Sequence, residues 1–151
     1  MDERARRASW PRLQGGPVLS ALLLDTSVLI DAERSGADLD DLIDDEDEAA
    51  VAAITIAELG VGVEIATGRR RTARRVFLDE LVGIVPVLPY DLDVARVHSA
   101  LLVAARDGGR PRGAHDLIIA ATARAAGRIV VTTDRVAFDE LPGVSVRVPQ
   151  R

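Results

Sequence analysis

Four acidic residues interrupt apolar sequence at places where a carboxylate needs a reason. Asp25 closes the run Ala21-Leu22-Leu23-Leu24, and Glu58 breaks into Ile54-Thr55-Ile56-Ala57-Glu58-Leu59. Asp116 precedes Leu117-Ile118-Ile119-Ala120-Ala121, and Asp134 follows Ile129-Val130-Val131-Thr132-Thr133. Carboxylates are rarely buried unless they pair with a charge or bind a metal. No arginine occupies the matching apolar positions, and the chain has no lysine. A divalent cation is the simplest compensating charge. With no cysteine and only two histidines, His98 and His115, the ion would be held by oxygen, which selects magnesium or manganese.

Carboxylates about 4 Å apart repel by roughly 4 kcal/mol per pair at an effective dielectric near 20. Without a cation, at least one should have a raised pKa; with one, repulsion becomes coordination. A metal-bound water, once deprotonated, is a strong nucleophile at neutral pH. Each residue also has an ordinary reading. Asp25, Asp116 and Asp134 could cap helices, and Glu58 could be the far half of a capping box begun by Thr55. What favours the joint reading is the elements that must position them.

Residues 19–24 are a short apolar run, as expected for a strand buried on both faces. Thr26 and Ser27 are expected to cap a helix to about Arg34, stopped by Ser35-Gly36. The acidic segment 38–48 carries Leu39, Leu42 and Ile43 at helical spacing. A second strand is expected over 50–54. Thr55 then caps a helix to about Ala66, followed by a helix over 69–81 with Val76, Phe77 and Leu81 facing the core. Residues 84–88, punctuated by Pro86 and Pro89, read as an edge strand. Asp91 opens a helix to about Arg106, and a loop at 107–111 leads to an unusually apolar helix over 115–126, capped by Gly127. Strands over 129–132 and 144–148 complete the set.

Strands alternating with helices imply a parallel sheet covered on both faces. Such sheets bind ligands beyond the carboxyl ends of their strands. Asp25 and Asp134 stand at carboxyl ends, Glu58 in the first turn after the second strand, and Asp116 in the first turn of the buried helix. All four can therefore meet on one rim.

At 151 residues, 48% hydrophobic and 28% charged, the chain suits one soluble domain over 18–151. Residues 1–17 read as a disordered or loosely docked tail. A charged start before an apolar run loosely imitates a signal peptide, but Pro11, Gly15, Gly16 and Pro17 break the approach and Asp25 ends too short a run. No window reaches transmembrane length, so the expected location is the cytoplasm. The absence of cysteine rules out disulfides and thiolate zinc sites. Only 3% of residues are aromatic, too few for base-stacking platforms, and a net charge of −5 counts against general duplex binding.

The segment 24–31, Leu-Asp-Thr-Ser-Val-Leu-Ile-Asp, resembles the opening motif of PIN-domain ribonucleases. Thr55-Ile56-Ala57-Glu58-Leu59 with Gly62 resembles their second motif, residues 115–123 their third, and Val131-Thr132-Thr133-Asp134 with Phe138 their fourth. Order, spacing and size are most similar to the VapC toxins of bacterial toxin–antitoxin pairs, over about residues 19–148. The resemblance implies a PIN-like three-layer α/β/α sandwich with a central five-stranded parallel sheet. It implies a homodimer, RNA cleavage dependent on Mg2+ or Mn2+, and a cognate VapB antitoxin that blocks the site. Heterotetramers or larger assemblies would form with that antitoxin, and DNA would be bound only through it.

Carried over by motif, the acidic set is Asp25, Glu58, Asp116 and Asp134. Asp25 and Asp116 are assigned as principal metal ligands and Asp134 as a further ligand. Glu58 aids a second metal or orients the attacking water. Thr26, Thr132 and Thr133 match supporting hydroxyls. The tail and the acidic segment 38–48 depart from the family pattern.

Several neighbours receive plainer readings. His115 is read as a loop or cap residue and Asp31 as solvated. The basic run Arg69-Arg70-Arg71 with Arg74 and Arg75 is read as a solvated helix face, with RNA binding as the weaker alternative. Arg110 and Arg112, in the loop before Asp116, are better placed to meet RNA phosphate. Segment 38–48 is read as solvated, with a contact to a basic antitoxin segment as the weaker alternative. A haloacid-dehalogenase-type phosphatase needs an aspartate where Ser27 stands, and both it and a receiver domain need a lysine. A Rossmann dehydrogenase needs a glycine-rich turn that Asp25-Thr26-Ser27-Val28 does not provide. The remaining rival is a catalytically weak partner acting mainly with its antitoxin in autoregulation.

Overall fold

The computed structural model describes residues 20–42 and 47–149. The proposed tail, Ile43 and much of the acidic segment lie outside the described residues. Strands β1 (Ala21–Leu24), β2 (Glu48–Ala52), β3 (Val87–Leu88), β4 (Ile129–Val131) and β5 (Val146–Arg147) form one sheet in the order β3-β2-β1-β4-β5. Every pairing is parallel. The helices are α1 (Thr26–Ser35), α2 (Leu39–Leu42), α3 (Ala53–Ile65), α4 (Gly68–Ile84), α5 (Leu92–Asp107) and α6 (Ala114–Ala125), with a 3-10 turn at Arg135–Ala137. The expected parallel α/β/α arrangement, with β3 at an edge, is what forms.

Alternation along the strands separates two cores, because successive side chains point to opposite faces. Leu23, Ala50, Ala52 and Val130 pack with Leu101 of α5 and with Leu117, Ile119 and Ala120 of α6. Leu22, Leu24, Val51 and Val131 pack with Val28 and Leu29 of α1 and Leu81 of α4. Helix α6 buries Leu117 and an unbroken run from Ile119 to Ala123. Its end is closed by Gly127 at φ 64°, as the sequence anticipated.

Several local boundaries differ from expectation. Strand β2 ends at Ala52 and α3 begins immediately, so Ala52 is its N-cap and provides no side-chain bond. Thr55 is consequently a buried residue of the first turn rather than a cap. Asp25, not Thr26 or Ser27, caps α1 by accepting from the Thr26 amide (2.9 Å). Helix α4 extends to Ile84, absorbing part of the expected third strand. Val76 is 51% exposed instead of facing the core, whereas Leu81 is buried as expected. Three-residue and four-residue spacing places Arg74, Phe77 and Leu81 on one stripe, and Val76 falls outside it.

Candidate active site

The carboxyl edge of the sheet is built by register. Leu24 pairs with Val131, and the Asp25 amide donates to the Val131 carbonyl (2.9 Å), extending the pairing by one residue. The Asp25 side chain is 4% exposed. Its Oδ2 accepts from the hydroxyls of Ser27 (2.7 Å) and Thr132 (2.8 Å), and its Oδ1 from the Thr26 amide. Three donors hold the carboxylate in place with no guanidinium involved.

The other acids are placed by neighbouring elements. Glu58, one turn past Thr55 on α3, accepts the Thr26 hydroxyl at Oε1 (2.9 Å), and the Thr26 and Thr55 hydroxyls lie 3.1 Å apart. This replaces the capping-box role: Glu58 reaches across to α1 rather than back to its own helix end. Its other oxygen lies 3.6 Å from His115 Nδ1. The Asp134 amide donates to the Thr132 hydroxyl (3.0 Å), and its side chain does not cap the 3-10 turn. Asp116 stands in the first turn of α6, whose N-cap is Gly113.

Electrostatics join the four. The Asp116 carboxyl is pushed above its ordinary value, first by burial and then by the negative charges of Asp25, Glu58 and Asp134, with His115 opposing. Like charges gathered at one rim disfavour ionisation of the group among them. Among the described residues, no three acidic or histidine side chains already close on one point.

Residues the sequence reading passed over take part. Ser27 clamps Asp25 and accepts the Thr133 amide (3.2 Å), tying the ends of β1 and β4 together. Thr55 supports Thr26, and His115 faces Glu58. The Thr133 hydroxyl makes no hydrogen bond among the described residues, unlike those of Thr26 and Thr132. Arg110 and Arg112 both donate to the Val136 carbonyl (2.8 Å each), and Arg112 also donates to that of Asp139. Arg110 also pairs with Glu140 (3.6 Å). These guanidiniums hold the segment after Asp134 against the start of α6, a use of arginine that sequence position could not reveal.

The carboxyl edge of a parallel sheet thus carries an acidic rim whose carboxylates are clamped by hydroxyls and, among the described residues, pair with no arginine. Residues 22–144 match the PIN domain family. Ribonuclease VapC5 of Mycobacterium tuberculosis is 38% identical over 115 residues, spanning 76% of this chain and 84% of that protein. The crystal structure of VapBC-5, a member of the VapBC family of toxin–antitoxin systems from M. tuberculosis, superposes with a TM-score of 0.68 at 35% identity. It covers 89% of this chain and 100% of that one. VapBC2 of Rickettsia felis, bound to a DNA fragment from its promoter, superposes with a TM-score of 0.76 over 86% of this chain and 99% of that one. At 21% identity it speaks to the fold alone. The chain belongs to the PIN-domain family and, within it, to the VapC ribonuclease toxins.

Proposed function

We propose that this chain is the endoribonuclease toxin of a toxin–antitoxin pair, that it hydrolyses RNA phosphodiester bonds with a divalent cation, and that a cognate VapB-type antitoxin inhibits it. The observation that carries the reading is the placement of Asp25, Glu58, Asp116 and Asp134 at the sheet's carboxyl edge, where the other three charges act on Asp116. The all-oxygen donor set suits Mg2+, with Mn2+ as its close substitute.

Asp25 and Asp116 would hold the ion, with Asp134 joining directly or through water. When bound, the cation supplies an acidified water and stabilises charge on the phosphoryl oxygens. Asp25 binds through a carboxylate already oriented by Ser27, Thr132 and the Thr26 amide, so little is lost in ordering it. Glu58, fixed at one oxygen by Thr26 and with the other beside His115, would aid a second cation or orient the attacking water. Thr132 holds Asp25 and the Asp134 backbone at once, which keeps the two strand ends in register.

Homodimerisation belongs to the same reading. Val61 and Ile65 of α3 and Leu92 of α5 are 58%, 74% and 64% exposed, an apolar surface that a second copy would cover. DNA would be reached only through the antitoxin, and the working compartment is the cytoplasm. Among the described residues, no helix is long and apolar enough to cross a membrane.

The test is cleavage of total cellular RNA by purified protein freed of antitoxin, with Mg2+ or Mn2+, against EDTA and Asp116→Asn. Site-specific cuts that vanish in both controls are the expected result. Folded, metal-binding protein that cuts nothing would instead leave an inert antitoxin-binding role.

A further inference from the structure

Helices α3 and α4 form a hairpin that leaves β2 directly at the sheet's carboxyl edge. Its register is set by two contacts: Arg74 Nη1 donates to the Gly62 carbonyl (2.8 Å), and Arg71 pairs with Glu64 (3.4 Å). Gly62 lies four residues past Glu58, so the two share one face of α3, about 6 Å apart along the axis. Arg74 is therefore seated one turn along α3 from Glu58.

The stripe of α4 that carries Arg74 is informative along its whole length. Residues 70, 74, 77 and 81 follow the three- and four-residue spacing of one helix face. At its inner end Leu81 is buried and Phe77 packs on the same core as Leu24 and Val131. Toward the start of α4 the same stripe continues as half-buried Arg74 and exposed Arg70. A face that is core at Leu81 becomes arginine at its other end.

Charge assigns the occupant. The chain carries −5 overall, and the rim concentrates four carboxylates, so most of the surface near the site repels a phosphate backbone. Arg110 and Arg112 are taken up by carbonyls at Val136 and Asp139. Arg70 is exposed and makes no hydrogen bond or ion pair among the described residues. Arg74 uses one amino group on Gly62 and keeps its remaining donors. Guanidiniums recognise phosphate through several N–H donors at once.

We propose that Arg70 and Arg74 form the RNA-backbone track of this enzyme, binding phosphates of the single strand next to the one being cleaved. The inference rests on the ribonuclease reading and adds the surface that holds the substrate.

It is tested on Asp116→Asn protein, which binds without cutting, using a labelled single-stranded RNA 20-mer of mixed sequence and fluorescence anisotropy across a salt series. Each lost phosphate contact lowers the slope of log affinity against log salt by about 0.7 for a single strand. Adding Arg70→Gln and Arg74→Gln should reduce the slope by about 1.4, and Arg70→Gln alone by about 0.7. Over a fourfold rise in salt, two contacts correspond to roughly a sevenfold difference in affinity loss. Because Arg70 has no partner to lose, the single variant separates binding from folding. The charge-matched control Arg34→Gln with Arg96→Gln, both exposed and away from the hairpin, should leave the slope nearly unchanged.

An unchanged slope in the Arg70 and Arg74 variants overturns the inference, as does an equal loss in the control pair. RNA binding that persists while antitoxin affinity falls gives the stripe to the antitoxin and also overturns it. Failure of the ribonuclease reading looks different: unmodified protein would cut no RNA, with or without Mg2+ or Mn2+, whatever the salt slope of binding.

Discussion

Replacing Gly113 with alanine should damage the site while sparing the fold. Gly113 is the N-cap of α6, with φ −60° and ψ 137°, a conformation alanine adopts without strain. A Cβ built there would stand 2.7 Å from Asp116 Oδ2, where ordinary contact begins near 3.4 Å. The carboxylate oxygen must therefore retreat by about 0.7 Å, and it can, because it is the end of a rotatable side chain. A displacement approaching 1 Å at a reacting centre costs up to about a hundredfold in rate. A tenfold to hundredfold loss in kcat/KM is expected, which is about 1.4 to 2.7 kcal/mol of transition-state stabilisation. Stability should change by no more than about 1 kcal/mol, since lost capping and reduced chain entropy act in opposite directions. The assay is steady-state cleavage of a labelled RNA, with calorimetry of Mg2+ or Mn2+ binding and thermal melts alongside. In an Asp116→Asn background, which does not cleave, Gly113→Ala should cost no further metal affinity by calorimetry, because both act through one carboxylate. Full activity in the single variant, or an additive loss in the double, would refute the placement of Asp116 at the reacting centre.

Asp116→Asn should raise the melting temperature of metal-free protein at neutral pH while abolishing cleavage. Because the folded-state pKa lies above the unfolded value, the penalty is absent below about 3.8. It grows as pH rises through the folded pKa and is constant above it. The stabilisation by Asn should therefore fade in acid, and a pH-independent gain would contradict the cause assigned here. Thr132→Val keeps the shape but removes the donor to Asp25 Oδ2 and the acceptor for the Asp134 amide. A stability loss of about 1.5 to 3 kcal/mol, read by urea unfolding, is expected together with reduced activity. Glu58→Gln retains an oxygen for the Thr26 hydroxyl, so melting should change little while kcat falls by about a hundredfold or more. Wild-type turnover in that variant would remove Glu58 from the chemistry.

What could be read along the chain was local or periodic. An apolar run ending in aspartate marks the carboxyl end of a buried strand, and alternation of strands with helices implies a parallel sheet. Together these bring Asp25, Glu58, Asp116 and Asp134 to one rim without reference to any distance. The order of the strands and the contacts between elements distant in sequence are decided only by packing. Ser27 and Thr132 are 105 positions apart, yet both donate to one oxygen of Asp25. Thr55 matched the pattern of a cap, but β2 passes into α3 without a loop and buries it against Thr26 instead. Arg112 followed the same logic: its place before Asp116 suggested phosphate, and the folded chain supplied the Val136 and Asp139 carbonyls first. Residue type and spacing determine which groups can perform the chemistry. Which hydrogen-bond partner each one meets depends on chain segments that only the tertiary fold brings together.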